Sequence, residues 1–284
     1  MVLVEVVMKD ATIKGTKPNW SVIMTTEMII IGIFCIVDDG MSGIGKVADS
    51  KLYPSELVTV GILFALKGGR FRAFYRWLKR DWDGLFGGLP DRTRLQRSLA
   101  AHEEWFDLFL AQPSTFTVMD SYPIELLFPI RAGRSQQQIG KKGRDKGRWI
   151  IGGRFWVMLD TYGRIIEWHF LTLDQADKHF NRFATPFAGQ TVTLSDLGFR
   201  DAQGAPDHLK FCQKGTWNER MVVETVFSML TVVCNLKKVF HRTITHLFTR
   251  LSCVAAMFNV LYTLFHQLHP DASPFKMSIA EFSL

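Results

Sequence analysis

Thr115–Leu126 reads TFTVMDSYPIEL, and the physical reading of this stretch decides the fold. Thr115, Phe116, Thr117, Val118 and Met119 suit a buried strand, and the run ends on a carboxylate, Asp120. Ser121, Tyr122 and Pro123 follow, and proline cannot donate to a sheet ladder, so the strand is expected to stop there. A carboxylate at the end of an apolar strand is costly unless a cation or a donor meets it. What Asp120 faces is therefore the question put to the rest of the chain. Glu125, beyond the proline, reads as an ordinary surface acid.

The chain has 284 residues, 47% of them hydrophobic and 21% charged, enough for one large domain or two modest ones with a real core. A net charge of +7 points to a polyanionic partner. Cys35, Cys212, Cys234 and Cys253 are widely spaced, match no metal-binding pattern and read as reduced thiols of a cytosolic protein. No basic stretch precedes an apolar run at the N-terminus, so no signal peptide is read. Met28–Val37 and Cys253–Phe265 fall short of the roughly 20 apolar residues a membrane span needs, and both read as buried helices.

Four regions follow from the patterning. Residues 1–22 read as an arm, 23–112 as helical, 113–268 as a mixed α/β unit and 269–284 as a tail. Helices are expected over Thr25–Asp39, from Pro54 to the Gly68–Gly69 pair, over Arg70–Asp81 and over Asp91–Ala111. Between Lys67 and Arg97, cations including Arg70, Arg72, Arg76, Lys79 and Arg80 alternate with Phe71, Phe74, Tyr75, Trp77 and Trp82. Basic helices backed by aromatics are suited to phosphate contact. Arg131–Arg148, with Lys141, Lys142, Arg144, Arg148 and four glycines, reads as a flexible basic loop of the same use.

Trp149–Leu159 and Ile165–Thr172 form an expected hairpin in which Asp160 serves the turn. Leu173–Ala188 is helical in character, and His208–Cys212 is a short strand. Gln190–Asp196 (QTVTLSD) is a second apolar strand that ends in aspartate. The helix expected over Asn218–Val239 is apolar around most of its circumference, with a seam of Arg220, Glu224, Ser228, Thr231, Asn235 and Lys238. A last buried helix is expected over Thr243–Leu268.

Asp120 and Asp196 at strand ends, with Glu224 on the following helix, are three carboxylates that would repel one another without compensation. Magnesium, which takes oxygen ligands, resolves that conflict. Two such ions about 3.5–4 Å apart activate a water and stabilise the leaving oxygen of a phosphodiester.

The motifs VMDSYPIE around Asp120, LSDLGF around Asp196 and NERMVVETVFSML around Arg220 and Glu224 resemble those of the DDE transposases of bacterial insertion sequences. The resemblance covers about residues 115–240 and implies a ribonuclease-H-like mixed sheet flanked by helices, preceded by an all-helical region that binds DNA. It implies Asp120, Asp196 and Glu224 as ligands of two Mg2+ or Mn2+ ions, with Arg220 orienting Glu224 or meeting a phosphate. The implied reaction is hydrolysis at transposon ends, exposing a 3′-hydroxyl that attacks target DNA. The implied partner is double-stranded DNA, with no membrane, a homodimer compatible, and a cytoplasmic, nucleoid-associated setting. Trp217 and Thr231 stand where many relatives carry tyrosine and lysine. Two other readings are a decayed, non-enzymatic protein that binds transposon ends and a structure-selective nuclease on the same fold.

Overall fold

The computed structural model describes residues 24–46, 48–202, 206–212 and 220–284. The arm read over residues 1–22, together with Trp217, lies outside the described residues. Helix α1 (Thr26–Gly40) starts where Thr25 accepts a hydrogen bond from the Met28 amide. Helix α2 (Pro54–Lys67) has proline in its first turn and ends at Gly68, where the backbone turns left-handed (φ 69°). Helix α3 (Phe71–Asp81) buries Phe71, Phe74 and Leu78 and leaves Arg72, Arg76, Lys79 and Arg80 exposed. The expected Asp91–Ala111 helix is shorter: α4 covers Arg92–Ala101, and Glu103–Phe109 tightens into a 3-10 helix.

Strand β1 (Phe116–Leu127) runs past the point where it was expected to end. Pro123 sits within it, opposite Arg154 of β3 (Arg148–Leu159). The physical reason lies on the other edge. Strand β5 (Val192–Ser195) pairs with β1 only along Phe116–Val118, and the chain at Lys237–Val239 pairs with it only around Glu125. Glu125 bonds to that chain rather than to β3, and Pro123, two residues away, turns its nitrogen to the same side, into the interval between the two neighbours. No sheet bond is lost there.

The basic stretch expected as a loop is partly a strand. Lys141–Asp145 forms β2, which returns through Lys146 and Gly147, both at positive φ, into β3. The β3–β4 hairpin, with β4 at Ile165–Thr172, matches the expectation, and Asp160 holds its turn. That carboxylate is buried, accepts from the amides of Tyr162 and Arg164, and takes the Arg164 Nε at 2.7 Å. Leu173–Ala188 folds as 3-10 turns around one short helix, α5 (Asn181–Ala184). Strand β6 (Leu209–Phe211) extends the sheet beside β5. The sheet order is β2-β3-β1-β5-β6, with β4 also on β3; β3 lies antiparallel to β1, whereas β5 and β6 run parallel to it. The fold is mixed α/β with an open mixed sheet.

Helix α6 (Arg220–Val232) ends before the Val239 of the expected Asn218–Val239, whose first two residues lie outside the described residues. Asn235 adopts a left-handed backbone (φ 53°), and the chain then lies along β1. Helix α7 (Ile244–Leu268) is capped by Thr243 and occupies the middle of the molecule. By length and composition it could cross a membrane, yet 83% of its apolar window is buried inside this fold. One face of the sheet, with Val118, Ile124, Phe155, Val157 and Leu159, shares a single apolar cluster with α1, α2, α6 and α7. The other face packs Met119, Trp156 and Met158 under Phe180 and Phe199. The expected tail is not loose, because Met277, Ile279 and Phe282 are buried in the larger cluster. The four cysteines form no disulfide, and Cys212, Cys234 and Cys253 are buried.

Two buried polar side chains on α7 organise this packing. Asn259 donates to the carbonyls of Phe109 and Ile165 and accepts from the Ile165 amide, fastening β4 to the helical layer. Arg250 donates to the carbonyls of Phe64 (2.6 Å), Ala65 (3.3 Å) and Cys234 (3.0 Å). The first two belong to the last turns of α2, and the third follows the end of α6. A helix C-terminus carries partial negative charge, so these carbonyls answer a guanidinium that has no carboxylate partner among the described residues.

Near this layer, Glu103 is half-buried, and burial with the nearby Asp107 and Glu104 pushes its pKa from an ordinary 4.5 up to about 7. The folded protein thus keeps a proton that the unfolded chain releases near 4.5. That contribution is full below the lower value and declines as pH rises through the higher one. Glu103→Gln is expected to remove this decline from thermal midpoints measured between pH 4.5 and 7. A variant that keeps the wild-type slope would place the decline on other groups.

Candidate functional site

The parallel β1–β5 ladder pairs Phe116 with Val192, Thr117 with Thr193 and Val118 with Leu194. Facing hydroxyls of Thr117 and Thr193 lock that register with a hydrogen bond of 2.9 Å. Carried two residues on, the same register sets Asp120 opposite Asp196. Strands in a sheet lie about 4.8 Å apart, so these carboxylates come from neighbouring backbones at the carboxyl end of β5. This is also where β1 loses its second neighbour. Asp120 accepts from the Ser121 amide at 2.7 Å, and Asp196 accepts from Gly198 at 2.8 Å while opening a 3-10 turn.

Helix α6 lies over the same part of β1. A side-chain carbon placed on Gly163, in the β3–β4 turn, would lie 3.0 Å from Val222, and the Phe227 ring sits 5.5 Å from that of Tyr122. The turn adjoins the start of β1, because Leu159 pairs with Val118, so α6 runs along β1 in the same direction. Val223, Val226, Phe227 and Leu230 are buried, while Met221, Val222, Thr225 and Met229 line a cavity shared with Tyr162, Phe258 and Tyr262. Helical geometry puts Glu224, Ser228 and Thr231 on the opposite flank, and Glu224 is exposed there. Thr231 donates to the Phe227 carbonyl of its own helix at 2.7 Å, and the pKa of the neighbouring Tyr122 is raised by burial and by Asp145. Arg220 is the first described residue of the helix, and its side chain lies outside what the structure describes.

Hard carboxylate oxygens are the right donors for magnesium or manganese. The ladder register sets Asp120 and Asp196 at neighbouring strand ends, but among the described residues no three His, Cys, Asp or Glu side chains form a group ready to hold a metal. Glu224 stands over β1 without joining such a group.

The structure adds residues that the sequence did not single out. Ser121, next to Asp120, donates to Asp177 at 2.7 Å, and Arg154 pairs with the same carboxylate oxygen at 3.1 Å. Arg154 also donates to the carbonyls of Leu173 and Gln175, fixing the segment that carries Asp177. A side-chain carbon on Gly198 would lie 3.0 Å from Asp196 Oδ1 and 3.7 Å from Asp177 Oδ2, so the two carboxylates flank that glycine. No local pattern marks Asp177; only the fold brings it here.

The expected surface acid Glu125 is instead buried, 5% exposed, and bridges Lys238 (3.1 Å) and Arg148 (3.4 Å). Of the remaining basic residues, Lys79 pairs with Asp83 and Arg80 with Asp81. Arg70, Arg72, Arg76 and Lys141 are exposed. On the β2–β3 hairpin, Lys142 and Arg144 lie over the half-exposed Trp149 ring, 4.6 and 5.1 Å from its centre.

Neither a protein-family model nor a curated protein sequence matches the chain.

Proposed function

We propose that the chain is a DDE-type DNA transposase with a ribonuclease-H-like catalytic fold. The observation that carries this reading is the register of the parallel β1–β5 ladder, which, carried two residues past its last pair, sets Asp120 opposite Asp196. Support also comes from a central strand with an antiparallel hairpin on one side and parallel strands on the other, and from a helix bearing Glu224 along β1. Asp120 and Asp196 would hold Mg2+ or Mn2+, with Glu224 supplying a third carboxylate. When bound, the metal activates the attacking oxygen and neutralises the leaving one. The residues themselves hold and orient: the Asp196 turn is fixed through Gly198, and Ser121 is anchored by Asp177 and Arg154. The exposed cations of α3 and of the β2–β3 hairpin would track double-stranded DNA at transposon ends, in a cytoplasmic, nucleoid-associated setting.

The test is incubation of the purified protein with DNA carrying the repeats that flank its coding region. Cleavage at the repeats and joined products are expected with magnesium or manganese and not with a chelator. Equal cutting of branched DNA without repeats would favour the nuclease, and binding without any metal-dependent product would leave a DNA-binding protein. A separate expectation concerns salt. Arg72→Ala, Arg76→Ala and Lys79→Ala together should reduce the steepness with which duplex affinity falls with salt, by about one ion per side chain. An unchanged slope would make α3 an ordinary solvated face.

A further inference from the structure

Three segments far apart in sequence meet on one surface. Phe128 follows β1, Phe240 follows the chain that lies beside it, and Arg70 precedes α3. The two rings stand 5.3 Å apart and are 45% and 43% exposed. Lys238 Nζ lies 3.9 Å from the centre of the Phe128 ring and 5.7 Å from that of Phe240, and the Arg70 guanidinium lies 5.9 Å from Phe240. Lys238 and Arg148 meet at the buried Glu125, which fixes the spacing of the two cations. Single exposed apolar side chains are ordinary on a protein surface. Two rings held together between cations from three segments form a built platform.

We propose that this platform, Arg70–Phe240–Lys238–Phe128 with Arg148 at its end, binds an unpaired DNA strand. Unpaired bases offer free faces that stack on exposed aromatic rings, while the phosphates between them take Lys and Arg. Paired bases in a duplex already stack on their neighbours and present mainly phosphates outward. The two half-exposed rings therefore favour the single strand, and Arg70, with Lys238 and Arg148 outnumbering the one carboxylate of Glu125, leaves net positive charge for its backbone. The platform also joins the basic α3 region to the β2–β3 hairpin, which lie far apart in the sequence. It rests on nucleic acid as the ligand but not on the carboxylate chemistry.

The test compares fluorescence anisotropy of a labelled oligothymidylate of about 16 nucleotides with that of a duplex of equal length, using the full chain. Phe128→Leu with Phe240→Leu keeps apolar bulk and removes the flat faces. Single-strand affinity is expected to fall about tenfold per ring, with duplex affinity changed less than about twofold. Phe128→Trp with Phe240→Trp should bind the single strand at least as tightly as wild type. Unchanged single-strand affinity in the leucine variant, or equal losses on both DNAs, would overturn the proposal. Single-strand binding is measured with a chelator present, where no metal-dependent cleavage proceeds, so failure of the cleavage reading and failure of this one are distinguishable.

Discussion

Asp120→Ala and Asp196→Ala are each expected to lower metal-dependent DNA processing by about a thousandfold or more, because a metal acting on a phosphodiester supplies several kcal/mol of transition-state stabilisation. On the proposed reading, either change removes a ligand supplied by one of two neighbouring strands whose register sets the aspartates opposite each other. A second readout does not depend on turnover. If these carboxylates hold the metal, magnesium or manganese at about a hundred times its Kd should stabilise the wild-type protein by about 2.7 kcal/mol, and the gain should vanish in both variants. Glu224→Ala tests whether the carboxylate on α6 acts with them, since it stands over β1 without belonging to a formed group of three. Normal processing by either aspartate variant, with its fold intact by circular dichroism, would remove that residue from the site.

Arg250→Ala is expected to cost about 2–4 kcal/mol of folding stability, through buried carbonyls left short of a donor and the space the side chain vacates. Alanine removes a fully buried guanidinium and takes the donor from the carbonyls of Ala65 and Cys234, away from water, while the Phe64 carbonyl keeps the Gly68 amide. It also removes the cation packed 4.1 Å from the centre of the Phe64 ring. Arg250→Lys restores the charge but cannot reach three acceptors with one fork, so an intermediate loss is expected. Urea unfolding of the two variants checks this. A loss below about 1 kcal/mol for alanine would mean that water or another donor satisfies those carbonyls.

Legibility in the sequence followed the range of the interaction responsible. Helix starts at Thr25, Pro54 and Thr243 were readable because a cap or a first-turn proline acts within a few residues of itself. The β3–β4 hairpin was readable for the same reason, with Asp160 bonding to amides just beyond it. Strand β1 was misjudged past Asp120, because whether Pro123 interrupts a ladder depends on which neighbour its nitrogen faces. Strand β2, Lys-Lys-Gly-Arg-Asp, has no apolar alternation and becomes a strand only through its pairing with β3. Helix α6 ran short because Asn235 turns left-handed and the following residues pair with β1. Within the candidate site, Asp120 and Asp196 were visible as apolar runs ending in carboxylates. Asp177 and the buried Glu125 were not, since their cations lie at least 23 residues away in the chain.

The central position of α7 sets the order in which the molecule can be completed. Helices α1 and α2 pack on it, as does β4, and Met277, Ile279 and Phe282 close over the same interior. A chain emerging from the ribosome N-terminus first presents α1 and α2 long before residues 244–282 exist. Until then their apolar faces have no final partner, and helices this short are marginal in water by themselves. Synthesis therefore carries an unfinished helical layer through the making of the whole sheet, and the last segment made is the one around which the earliest elements settle.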